Sequence, residues 1–298
     1  MDFLTFLQQL INGLSLGSLY ALIAIGYTMV YGILRLINFA HGDLLMVAAY
    51  VAVMGVGLFS WPWPVAFGLA IALTGLVGVL LERGAYRPLR RAPRISLLIS
   101  AIAASFLLEN LALVIFGGRA KPFPVPAAFN GALVIGGLYI PRLSLLVPLT
   151  TAVFLALLFY IVYRTQVGRA MRAIAWDLEM TSLMGINVNR IIAATFLLGS
   201  LLAGVGGVLW SMKYPQVNPF MGILPGLKAF IAAVLGGIGN VTGAVLGGLL
   251  LGMLEILIVA FFPNWAGYRD ALAFALLIVF LLVRPQGLLG EALREEKL

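Results

Sequence analysis

Nine apolar runs dominate this chain, near residues 7–33, 44–60, 63–81, 95–116, 143–163, 191–210, 227–240, 243–262 and 268–283. A helix needs about 20 mostly apolar residues to cross the hydrocarbon core of a bilayer. In lipid the backbone amides of a span must be satisfied within the protein, which a helix does by itself. The seventh run is short, so the expectation is eight or nine crossings. The fold class is therefore an all-α polytopic integral membrane protein with about 8–9 transmembrane helices. Only 10% of the 298 residues are charged and 62% are hydrophobic, against about 25% charged in soluble domains. No polar stretch is long enough for a soluble domain, which leaves residues 1–298 as a single transmembrane domain. The opening "MDFLTFLQQLINGLSLGSLY" has no positive leader and runs straight into further apolar sequence. It reads as a retained first span rather than a cleaved signal peptide.

The charged loops orient the set. Arg35, Arg83, Arg87, Arg90, Arg91, Arg94, Arg164, Arg169, Arg172, Arg190, Arg284, Arg294 and Lys297 fall on one side if there are nine spans. Arg119, Lys121, Arg142, Lys213, Lys228 and Arg269 fall on the other. Cytoplasmic loops are enriched in Lys and Arg, so the first set marks the cytoplasm, with the N-terminus external and the C-terminus inside. This distribution explains the formal net charge of +8 as topology and removes nucleic acid as a partner. A re-entrant hairpin of the seventh and eighth runs would break the alternation. The segment "RAKPFPVPAAFNGALVIGGLYIPR" is too polar and Pro-broken to span, so the loop of about 117–142 is expected to fold over the external face. Trp61, Trp63, Tyr139 and Trp265 sit near the external span ends, where aromatic belts form.

There is no cysteine and a single histidine, His41. Disulfides, thiol catalysis and multi-His or Cys-ligated metal sites are excluded. A membrane enzyme would need a cluster of catalytic groups that this inventory does not supply.

Polar groups interrupt the oil at two places, one in each half. "NFAHGDLL" carries Asn38, His41, Gly42 and Asp43; "LGGIGNVTGAVLGG" carries Gly236, Gly237, Gly239, Asn240, Thr242 and Gly243. Glycine-interrupted apolar segments in both halves point to discontinuous helices around a transport path. Both could equally be cytoplasmic turns, and Asp43 could N-cap the second helix. Glu109 and Glu255 lie nearer span centres, where insertion of a charge costs about 2.5–3.5 kcal/mol. Each must face the protein interior, find a partner or be neutral. Asn38, His41, Asp43, Glu109, Asn240 and Glu255 are thus the path candidates, with interhelical hydrogen bonding as the alternative for the two glutamates. Small residues recur four apart at Gly199, Ala203 and Gly207, at Gly243 and Gly247, and at Gly248 and Gly252. That spacing permits close helix packing.

The segment 164–190 contains "RAMRAIAWDLEMTSLMGINVNR". Val167, Met171, Ile174 and Leu178 make one helical stripe, and Gly185 supplies a stop. Basic amphipathic helices commonly lie on lipid. Asp177 and Glu179 would be repelled by anionic lipid, so a groove on a protein partner fits better.

"YGILRLINFAHGDLLMVAAY", "AIAWDLEMTSLMGINVNRII", "VLGGIGNVTGAVLGGLLLGMLE" and "VRPQGLLG" together resemble the smaller membrane permease of branched-chain amino acid ABC importers. The resemblance covers nearly the whole chain and implies the ABC importer permease fold. It implies an ATPase-coupling loop patterned as Glu, two small residues, three variable, then Gly. Glu179 and Gly185 match that register, while Met180 and Thr181 replace the small pair. The implied contact set is Asp177, Glu179, Met180, Thr181, Leu183 and Gly185. The implied partners are a second homologous permease, two ABC ATPase subunits, an extracytoplasmic substrate-binding protein and the bilayer. The implied location is a bacterial or archaeal cytoplasmic membrane. No cofactor is expected on this chain, with ATP and Mg on the partner subunits, because it has no G-x-x-x-x-G-K-[ST] phosphate loop. Relatives handle urea, short amides and other amino acids, so the substrate stays open. The alternative is a self-contained ion- or proton-coupled transporter that titrates Asp43, Glu109, Glu255 and His41.

Overall fold

A computed structural model describes residues 2–90 and 92–290. Arg91, Arg294 and Lys297, counted above for topology, lie outside the described residues, as does the side chain of Arg94.

Helix α1 (Phe3–Leu34) is the axis of the molecule, buried at Gly13 and from Ser15 to Val30. Around it stand α5 (Arg142–Arg164), α8 (Val188–Lys213), α9 (Ile223–Gly236) and α10 (Val241–Phe261). Outside them lie α2 (His41–Val53), α3 (Trp63–Leu81), α4 (Arg94–Phe116) and α11 (Arg269–Val283). Wide turns extend α2 through Leu58 and α3 through Tyr86. Eight helices among the described residues are long and apolar enough to cross a membrane, and α9 is a shorter apolar helix of 14 residues.

Small residues explain the tight centre. Gly248 and Gly252 of α10 press on Ala21 and Gly17 of α1, while Gly243 and Gly247 of the same helix press on α9. On α8, Gly199 meets Gly26 of α1, Gly204 meets Ile71 of α3 and Gly207 meets Leu45 of α2. Apolar side chains gain nothing by leaving lipid for one another, so close backbone approach and van der Waals contact supply the packing energy.

The two ends of α1 identify the two faces. At the Phe3 end, the hairpin of Ala132–Ile135 and Leu138–Pro141 places Gly137 beside Leu4. Its two-residue turn, Gly136 and Gly137, has positive φ at both positions, the conformation that matches strand twist. Lys121 and Pro122 pair with Val217 and Gln216, and Phe123 is buried in the cover this makes over α2 and α3. The 117–142 segment therefore folds back on the body, as its composition suggests. At the Leu34 end, Gly239 lies beside Gly32, and the 287–290 stretch hydrogen-bonds through Leu288 and Leu289 to Leu235 and Gly236.

Two crossings are broken. After Leu34, Arg35 turns the chain with φ +54 and α2 starts at His41, whose Nε2 is 3.2 Å from the Ile23 carbonyl oxygen. Ile23 is about 16 Å along α1 from Leu34 at helical rise, so α2 begins deep in the body. After α8, residues 214–222 descend from the outer cover without helix until Gly222 abuts Gly42. From there α9 completes the crossing. Its length, about 21 Å, falls short of a hydrocarbon core of about 30 Å. The seventh apolar run is thus half helix and half extended chain, and the nine helices described above, α1–α5 and α8–α11, alternate between the faces.

Candidate functional site

The two breaks meet. A Cβ on Gly42 would sit 2.7 Å from the Gly222 carbonyl oxygen, and one on Gly226 would sit 2.8 Å from the Gly42 Cα. Only glycine lets the N-terminal turns of α2 and α9 approach this closely. Beside the junction is a cavity of about 200 Å³ lined by Tyr27 of α1, Phe39, Asp43, Ser105 and Glu109 of α4, and Ile223. Pockets for drug-sized ligands run to about 300–1,000 Å³, so this one suits a smaller solute.

Asp43 does not cap α2. Ala40 holds the N-cap position without a side-chain bond, and Asp43 sits in the first turn, where Ser105 Oγ donates to Asp43 Oδ2 at 2.5 Å. The helix needs no cap there because the 35–40 approach supplies backbone acceptors: His41 N donates to Asn38 O and Leu44 N to Ala40 O. Glu109 faces the same cavity. Asn38 and His41 flank it and are internally satisfied. Tyr86 Oη donates to Asn38 Oδ1 at 2.6 Å, and His41 packs edge-on to Tyr27.

Asn240 and Glu255 lie elsewhere. The 236–243 stretch is a turn at the Leu34 end, with Gly237 and Gly239 at positive φ. Asn240 Oδ1 accepts from Gly243 N as the α10 N-cap, and Asn240 Nδ2 donates to the Leu289 carbonyl. Glu255 accepts from Tyr20 Oη at 2.9 Å and pairs with Lys228 at 2.7 Å and Arg269 at 3.4 Å. Lys228 also reaches Asp270 at 2.6 Å. Lys228 is 4% exposed, so its placement in an external loop is corrected: one α9 turn carries it inward, where the carboxylates offset its desolvation.

Sequence reasoning missed the break at 214–222. Its signal was available in "KYPQVNPFMG", where Pro215 and Pro219 each remove a helix donor just before the shortest apolar run. Tyr27 and Ser105 were missed because a hydroxyl in an apolar helix carries no mark of which face it will occupy.

The segment between α5 and α8 forms two helices rather than one. Helix α6 (Gln166–Trp176) buries Met171 and Ile174, while α7 (Leu178–Leu183) starts anew at Asp177, which has φ −151 and ψ 110. Asp177 Oδ1 accepts from Met180 N at 2.9 Å, so the acid is an N-cap and the stripe does not continue to Leu178. A cap there outcompetes continuation because it satisfies a free N–H. Thr181 is the inward residue of α7; Trp176, Met180, Leu183 and Met184 are all at least 60% exposed. Glu179 is exposed on the same turn, and Gly185, at φ +81, ends it.

A family model described as a branched-chain amino acid transport system permease component matches residues 9–281. The chain is 47% identical, over 96% of both sequences, to the high-affinity branched-chain amino acid transport system permease protein BraD of Pseudomonas aeruginosa. It is 46% identical, over 97% of both, to the corresponding permease protein LivH of Escherichia coli K12. In fold it is similar to the solved structure of PsaBC from Streptococcus pneumoniae in complex with Fab, with TM-score 0.50 and 14% identity, covering 92% of this chain and 91% of that one. The chain belongs to the permease family of branched-chain amino acid transport systems.

Proposed function

We propose that this chain is the membrane-spanning permease subunit of an ATP-driven importer of branched-chain amino acids. The observation that carries the reading is near-full-length likeness, at 47% identity, to a high-affinity permease of that kind. The glycine junction and its cavity support a path through the body, and α7 supports coupling. Its Met180, Leu183 and Met184 form an apolar knob beside Glu179 and Asp177, unpartnered within the described residues. Such a knob suits a groove on an ATP-hydrolysing subunit at the cytoplasmic face. A second permease would complete the path, and a soluble binding protein would deliver substrate at the hairpin face. Asp177, Glu179, Met180, Thr181, Leu183 and Gly185 form or shape the coupling element.

Purification of the native assembly tests this reading. ATP-hydrolysing chains are expected to accompany the permease, and a Leu183→Arg/Met184→Arg double variant is expected to lose them while staying monodisperse. Normal co-purification and ATPase stimulation by that variant would remove α7 from the coupling role.

A further inference from the structure

Asp43 and Glu109 are 2% and 6% exposed. Both line one cavity and lie within hydrogen-bond reach of each other, and beyond that mutual contact the one side-chain donor that reaches either carboxylate among the described residues is the Ser105 hydroxyl. None of the ion pairs among the described residues involves either acid. Buried carboxylates are normally paired with a cation or well supplied with donors. Here the cation is not built into the chain.

What it would be follows from the rest of the wall. Phe39, Ile102, Phe106 and Leu227 make the remainder largely apolar. A hydrated metal ion would find no use for that surface, and no group of three or more His, Cys, Asp or Glu side chains stands among the described residues to strip its water. A primary ammonium on a short branched hydrocarbon uses both parts: three N–H donors for the carboxylates and Ser105, and an aliphatic body against the apolar wall. The first turn of α9, at Gly222 and Ile223, also faces the cavity and favours a negative group by its dipole. A zwitterion with an aliphatic side chain therefore matches the cavity in three parts.

We propose that the cavity between α2, α4 and α9 is a transit site for the translocated amino acid, in which the Asp43 and Glu109 carboxylates receive its ammonium group. This rests on the permease reading above and deepens it. The site holds its ligand through two charge-assisted contacts and no enclosing lid, which is suited to brief occupancy during passage.

The full chain in nanodiscs is titrated with leucine, 3-methylbutylamine and 4-methylpentanoate, and contact is read by saturation-transfer NMR. Leucine and the amine are expected to bind, and Glu109→Gln or Asp43→Asn is expected to weaken both by roughly tenfold or more. Binding of 4-methylpentanoate, which lacks the ammonium, is expected to be the same in wild type and variants. Sodium chloride is expected to displace the amine no better than choline chloride. Equal amine binding by wild type and Glu109→Gln overturns the assignment, as does selective displacement by sodium, which would mark an inorganic cation site. Should Asp43→Asn fail to fold for want of its Ser105 bond, Glu109→Gln decides alone. ATP-driven leucine uptake by the assembled wild-type transporter is measured in parallel. Its absence would count against the permease reading, whereas uptake together with unaltered amine binding by the variants counts against this site only.

Discussion

Glu255 and the Asp43–Glu109 pair place carboxylates at similar burial against the same central helix, and they differ in what stands opposite. Glu255 has Lys228, Arg269 and Tyr20 within 3.4 Å. Asp43 has a serine and Glu109 beside it, and Glu109 has only the Asp43 carboxyl; no cationic side chain among the described residues pairs with either. The first cluster is closed on itself and locks α9, α10 and α11 together near the hairpin face. The second is open to a cavity. A costly charge inside a membrane protein is thus structural when its counterion comes with the chain, and a candidate for ligand contact when it does not.

That contrast can be attacked one residue at a time. Lys228→Met leaves Glu255 and Asp270 without their shared ammonium, and breaking a buried pair costs about 3–5 kcal/mol. Thermal unfolding in detergent should show a large fall in Tm, much of it recovered when Glu255→Leu is added; a small fall would mean that Arg269 alone suffices. Gly222→Val forces a side chain into the Gly42 backbone, with an overpacking cost of about 1–3 kcal/mol. Uptake should fall further than stability, because the junction and not the whole fold is displaced. Asp177→Ala removes the α7 cap at a cost of about 1 kcal/mol. ATPase stimulation should weaken with little change in Tm, and Asp177→Asn should restore it. Glu109→Gln should leave Tm unchanged or raise it, since it removes a buried charge that has no built-in counterion. A Tm loss matching that of Lys228→Met would place both carboxylates in one class.

Much of the architecture could be read from the apolar runs, because length and hydropathy are what a bilayer demands of a span. The outer cover over 117–142 was legible from its prolines and glycines. The glycine spacing on α8 and α10 announced close packing, and its helix partners had to come from the structure. The polar interruptions were harder. At 38–43 the chain re-enters the body, while at 236–243 it simply turns, although both stretches contain glycine and asparagine. The difference lies in depth, which depends on how far α1 and α9 extend past their neighbours. Glu255 was recognisable as expensive, and Lys228 was visible, but they are 27 residues apart on separate helices. Only the packing of α9 against α10 brings them together. The α6–α7 break was missed because an Asp in an amphipathic stretch looks equally like a solvated face and a cap.

The most direct measurement is uptake of leucine into proteoliposomes holding this chain alone, or this chain with the second permease, the nucleotide-hydrolysing subunits and the binding protein. Accumulation against a gradient is expected only with the partners and internally supplied nucleotide opposite the binding-protein face. Uphill accumulation by the chain alone, driven by a proton or sodium gradient, would contradict the account.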